Sequence, residues 1–239
     1  MRAALLLFGI LAFFQSKGQD MTAQQIIDAC VKVHGGDDYK NAHFAYDFRK
    51  NNYEYHYDNG VFKYVRKPKD GTTVDVLTND GFSRTDNGKK VDLSEKKARS
   101  YSNSVNSVNY FLFLPYFLND GAVNKRLLGE VEIKGQNYYK IEVTFDEEGG
   151  GDDHDDIHMY WIHTENFTMD YLGYSYIVNG GGVRFRAHKN RRKIGGIVFQ
   201  DYINYKHDKT TPVEDMDRLF NEDQLVQLSL IETENIVKL

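Results

Sequence analysis

Along most of the chain, apolar and polar positions alternate one for one. Ala42, Phe44, Tyr46 and Phe48 interleave with His43, Ala45, Asp47 and Arg49, and Tyr53, Tyr55 and Tyr57 interleave with Glu54 and His56. A period of two sends one set to each face of a strand and predicts half-buried β-structure. Asp58-Asn59-Gly60 reads as a hairpin turn into a strand Val61–Arg66, and Pro68-Lys69-Asp70-Gly71 as a turn into Thr72–Thr78. Asn79-Asp80-Gly81 and Asp86-Asn87-Gly88 repeat the signal. Strands at this spacing, separated by Gly-bearing turns, describe an antiparallel meander. The rhythm resumes over Lys125–Ile133, Tyr138–Phe145, Ile157–His163, Thr168–Val178, Val183–His188 and Ile197–Tyr205. The segment Val226–Ile236 reads as one closing strand.

Three stretches break the period. Thr22 and Gln25 form a capping-box pattern ahead of a helical face of Ile26, Ile27, Cys30 and Val31, which Gly35-Gly36 ends. Ser94 can cap a helix running toward Asn109. The run Tyr110–Leu118 that follows is strongly apolar, and Pro115 must end or kink any helix there. It reads as a lid plugging the concave face of a sheet, as an ordinary core helix, or as a contact with a membrane surface. Val213–Leu225 is weakly helical, with Glu214, Asp215 and Asp217 near its start.

Composition narrows the class. The chain has 239 residues, with 17 Tyr, 15 Phe and only 3 Pro, which suits strands packed on one face and wet on the other. Met1-Arg2, the apolar run Ala3–Phe14 and the small residues Ser16 and Gly18 make a secretory signal pattern, with a cut expected ahead of Gln19. That run is too short to span a bilayer, which takes about 20 apolar residues, and no later segment is long and apolar enough. The expected organisation is therefore a signal peptide over 1–18 and one domain over 19–239, exported to a periplasm or beyond. Loss of Arg2 and Lys17 moves the formal charge from −5 to −7, which argues against nucleic-acid binding. Cys30 is the single cysteine, so no intramolecular disulfide forms.

Candidate chemistry gathers in FDEEGGGDDHDDIHMYWIH, residues 145–163, with seven carboxylates, three histidines and the single Trp161. Carboxylates and imidazoles on a Gly bend suit a divalent cation, with Glu148, His154, Asp156 and His158 as the candidate ligands. No EF-hand loop, H-E-x-x-H or Cys pair accompanies them, and a solvated acidic loop explains the same residues. The metal-dependent alternative is a hydrolase with Glu148 as general base. The basic patch Arg184, Arg186, Lys189, Arg191, Arg192 and Lys193 reads either as a receiver for an anionic head group or as a solvated strand face. No catalytic residue can be assigned from spacing alone.

The runs SVNSVNYFLFLPYFLND, EEGGGDDHDDIHMYWI and MDYLGYSY resemble an uncharacterised family of exported bacterial proteins with the lipoprotein-carrier (LolA-like) fold. The resemblance implies a mainly β protein: a curved antiparallel sheet or incomplete β-barrel, with an N-terminal helix and an inserted helical segment packed on its concave face. A (β/α) barrel of the aldolase type is excluded, because strand follows strand. The function expected is binding of a lipid or other hydrophobic ligand. Phe44, Tyr46, Phe48, Tyr55, Phe111, Phe113 and Tyr116 are the candidate pocket liners, and packed core explains each of them as well. No resident cofactor is expected beyond the divalent metal weighed above, and no protein partner can be named.

Overall fold

Thr22 opens the first helix of the computed structural model, which describes residues 21–149, 155–177 and 180–239. The predicted signal segment lies outside the described residues. Thr22 Oγ1 accepts from the Gln25 backbone N–H at 3.2 Å, and Gln25 Oε1 accepts from the Thr22 N–H at 2.9 Å, so the capping box forms. Helix α1 (Ala23–His34) buries Ile26, Ile27 and Cys30.

The first sheet follows as a meander: β1 (Asn41–Phe48), β2 (Asn51–Asp58), β3 (Val61–Pro68), β4 (Thr73–Thr78), β5 (Gly81–Asp86) and β6 (Lys89–Lys90). Asn59 and Gly60 both take positive φ, 48° and 95°, between the paired residues Asp58 and Val61. A two-residue turn of this kind matches the twist of the strands it joins. Helix α2 (Glu95–Leu112) crosses to the second half of the chain. There, β7 (Val123–Ile133), β8 (Gln136–Phe145), β9 (His158–His163), β10 (Met169–Tyr176), β11 (Gly182–Ile194) and β12 (Ile197–Lys206) make a second meander. A short turn, helix α3 (Met216–Asn221), β13 (Val226–Ile231) and β14 (Thr233–Lys238) complete the chain.

Two open seven-stranded antiparallel sheets result, ordered β14-β1-β2-β3-β4-β5-β6 and β13-β12-β11-β10-β9-β8-β7. They do not close into a barrel. The expected single strand Val226–Ile236 is broken at Glu232, so that β13 pairs with β12 and β14 pairs with β1. Asp201 pins the break: its carboxylate accepts from the Thr233 N–H at 3.0 Å and from Arg192 at 3.1 Å.

The apolar run after α2 is buried between the sheets rather than offered to a surface. Phe113 and Phe117 join Phe44, Tyr46, Tyr55 and Tyr64 under the first sheet. Leu114 and Leu118 join Ile26, Ile27, Tyr160 and Ile162 on the inner face of the second. Each pair is four residues apart, so one compact turn serves both walls, and every such side chain contributes about 1.5–3 kcal/mol of burial. On the outer face of the second sheet, Trp161 and Phe185 pack against Val213, Met216 and Leu219. The helical content of 213–225 is thus a turn and α3, held as a cover for that face.

Candidate functional site

Alternation along β9 to β12 decides what faces α2. In β11, Val183, Phe185 and Ala187 point to the outer cluster, which sends Arg184 and Arg186 inward. The registers His158↔Tyr174 and Tyr174↔Arg184 set these three side chains in one row across the sheet. Between this wall and the C-terminal half of α2 lies a cavity of about 600 Å³. Phe111, Phe145, His158, Tyr174, Arg184, Arg186 and Tyr202 line it, with Phe48, Val108, Leu112 and Ile231 completing the apolar wall. Exposed Ser104, Asn106 and Ser107 of α2 give it a polar rim.

The electrostatics of the wall are unusual for so aromatic a lining. The Arg186 guanidinium lies 4.1 Å from the Phe111 ring centre and 5.2 Å from that of Tyr174, and donates to the Tyr174 hydroxyl at 2.9 Å. Arg184 lies over the Tyr176 ring at 5.0 Å and donates to the Tyr176 hydroxyl and, at 2.8 Å, to the Val183 carbonyl. His158 stacks against Tyr174, with centroids 5.5 Å apart. Burial, and secondarily the Arg186 charge, push the His158 pKa down to about 4, so its ring is neutral near pH 7. Gln200 donates to the Tyr202 hydroxyl at 2.8 Å and to the Met169 carbonyl at 2.9 Å, fixing the floor.

The residues singled out in the sequence fall in three places. Phe48 and Phe111 line the cavity. Phe44, Tyr46, Tyr55 and Phe113 are buried in the core under the first sheet, where Phe113 stacks on Tyr55 at 3.6 Å and Tyr46 donates to Asn109 at 2.7 Å. Tyr116 stacks on Tyr39 at 4.9 Å at the edge of that core. Of the metal candidates, Asp156 and His158 line the cavity, Glu148 is exposed, and His154 lies outside the described residues. Among the described residues, no group of three or more His, Cys, Asp or Glu side chains is placed to hold a metal ion.

The basic patch divides. Arg191 pairs with Asp170 at 2.6 Å, Arg192 with Asp201 at 3.1 Å, and Lys189 with Glu232 at 3.3 Å, while Arg184 and Arg186 enter the cavity. A β-bulge falls within the paired group: the β11–β12 register shifts between Lys189 and Arg192, and Asn190 takes a φ of 50°. Tyr174 was legible only as a strand residue; its place beside Arg184 follows from pairing, which the sequence does not print.

Two open sheets with helices held against their inner faces define a class, the LolA-like fold. A LolA superfamily protein from Nitrosomonas europaea matches with a TM-score of 0.55 and 11% identity, over 91% of this chain and 94% of its own. A DUF1329 family protein from Desulfovibrio piger matches with a TM-score of 0.52 and 11% identity, over 91% and 93%. At such identity the likeness is one of fold. No curated protein matches the chain by sequence. The chain itself belongs to DUF6503, a family of unknown function, which it matches over residues 2–233. No helix among the described residues is long and apolar enough to cross a membrane.

Proposed function

We propose that this protein is an exported carrier or receptor that holds a lipid or other amphipathic molecule between α2 and the second sheet. The observation that carries the reading is the cavity. Its volume of about 600 Å³ sits within the range of about 300–1,000 Å³ usual for small-molecule sites, and its wall is aromatic with a few fixed polar groups. The LolA-like fold and the N-terminal signal pattern support the same reading. The export pattern supports an address in the periplasm or outside the cell.

The test is native mass spectrometry of protein exported to a bacterial periplasm and purified without detergent, followed by titration of the delipidated protein with a fluorescent fatty acid. The expected result is a population heavier by one lipid and saturable uptake. Bare protein mass in every preparation, with no uptake of fatty acid or phospholipid, refutes the proposal.

A further inference from the structure

Arg186 is 9% exposed, and a guanidinium keeps its charge at any pH a protein survives. Charged groups this deep are paired, because an unpaired buried charge is costly. The protein follows that rule elsewhere. Arg66 and Arg84 share Asp75, Arg191 holds Asp170, and Arg192 holds Asp201. Arg186 departs from it. Among the described residues it forms no ion pair, and its protein contacts are one tyrosine hydroxyl and two aromatic faces. Its Nε–H is buried without an acceptor. Arg184, two residues along the same strand face, likewise forms no ion pair among the described residues. The cavity adjoins both.

From this arrangement we infer that the ligand is an acidic amphiphile, whose carboxylate or phosphate head is received by Arg186 with Arg184 beside it. The inference rests on the carrier reading and narrows it. An oxyanion supplies the acceptor that the Arg186 Nε–H lacks, and a planar guanidinium suits the two oxygens of a carboxylate or phosphate. The rings of Phe111 and Tyr174 hold the guanidinium flat and limit the freedom lost on binding. His158 is neutral, so the positive charge of this wall is that of Arg184 and Arg186, while the Asp156 carboxylate also lines the cavity. The apolar wall of Val108, Leu112, Phe145 and Ile231 takes the chain.

The experiment compares probes of one chain length on the full mature protein after delipidation: dodecanoate, dodecyl phosphate, dodecanol and inorganic phosphate, by calorimetry at pH 7.5. Dodecanoate or dodecyl phosphate is expected to bind about tenfold or more tighter than dodecanol, the scale of a charge-assisted hydrogen bond. Arg186→Gln should bring that ratio toward one, Arg186→Lys should retain part of it, and Lys193→Gln, an exposed site on the same strand, should leave it unchanged. Equal affinity for dodecanoate and dodecanol in the native protein overturns the inference without any variant, and so does a preference undiminished in Arg186→Gln. Inorganic phosphate binding as tightly as dodecyl phosphate overturns the amphiphile and identifies a free-oxyanion site. Uptake of no amphiphile, neutral or acidic, instead sinks the carrier reading beneath it.

Discussion

Asp75 is the point at which the wall of the cavity can be loosened from a distance. Its carboxylate accepts from Arg66 Nε at 2.9 Å and Nη2 at 2.6 Å, and from Arg84 Nε at 2.6 Å and Nη2 at 2.9 Å. The Asp75 side chain is 3% exposed and those of the arginines 12% and 17%. Both arginines also reach α2: Arg66 donates to Ser104 at 2.8 Å, and Arg84 lies 3.6 Å over the Tyr101 ring. Asp75→Ala leaves two largely buried guanidinium groups without their counter-ion. Removing one partner of a buried ion pair costs about 3–5 kcal/mol. At about 2–4 °C per kcal/mol for a domain of this size, the melting temperature should fall by about 6–20 °C. The assay is thermal and urea unfolding followed by far-UV circular dichroism, with hydrogen exchange on the folded variant. Amides of α2 should exchange faster while those of β9 to β11 keep their protection. A melting temperature within about 2 °C of wild type would refute the reasoning, since it would mean that the arginines find water at no cost. The control is the triple change Asp75→Leu, Arg66→Met, Arg84→Leu, which should recover most of the loss, because apolar side chains of similar volume replace the whole set.

Other outcomes follow from the same structure. Trp161 Nε1 donates to Asp217 at 3.0 Å and Lys140 approaches the same oxygen at 2.8 Å, so Asp217→Ala should cost about 3–5 kcal/mol and alter the emission of the single tryptophan. Phe113→Ala empties a fully buried site against Tyr55 and should destabilise by about 3–5 kcal/mol in urea unfolding, whereas Phe111→Ala should weaken amphiphile binding. Burial lowers His34 to about 3 and His158 to about 4 from the ordinary 6.5, so the unfolded chain binds more protons in the window below 6.5. Stability present above pH 6.5 should therefore drain away on acidification, by about 3 kcal/mol for His158 at pH 4 and about 4 kcal/mol for His34 at pH 3, in pH-dependent urea titrations. N-terminal sequencing of protein recovered from the periplasm should begin at Gln19; retention of Met1 would remove the cleavage reading, and absence of the protein from that fraction the export reading.

What could be read in the chain was whatever local chemistry decides. The Thr22–Gln25 box, the Asn59-Gly60 turn and the alternation from Ala42 to Phe48 each involve residues within one turn or strand, and each forms as expected. What could not be read depends on pairing across long separations. Nothing in VQLSLIETENI says that Glu232 divides two sheets, because both halves are equally good strands. The aromatics Phe44, Phe48, Tyr55 and Phe111 look alike in sequence, yet the position of α2 sends two into the core and two to the cavity. Likewise Arg186 and Arg191 belong to one basic run, yet Arg191, at the bulge near Asn190, reaches Asp170 while Arg186 faces the cavity.

The break at Glu232 has a bearing on when the protein is able to fold at all. Among the described residues β1 is the first strand made, and it is paired on one side by β14, the last of them, with Phe44 opposite Lys238. Until residues 226–238 have been made, one edge of β1 and one edge of β12 remain open, and the segment that runs from one sheet to the other is missing. Such distant pairing slows folding, because the loop must close before the contacts reward it. On the export reading proposed above, a chain that crosses a membrane as an extended thread would gain from this delay, because the seam between the sheets is stitched only after residues 226–238 have followed the rest across.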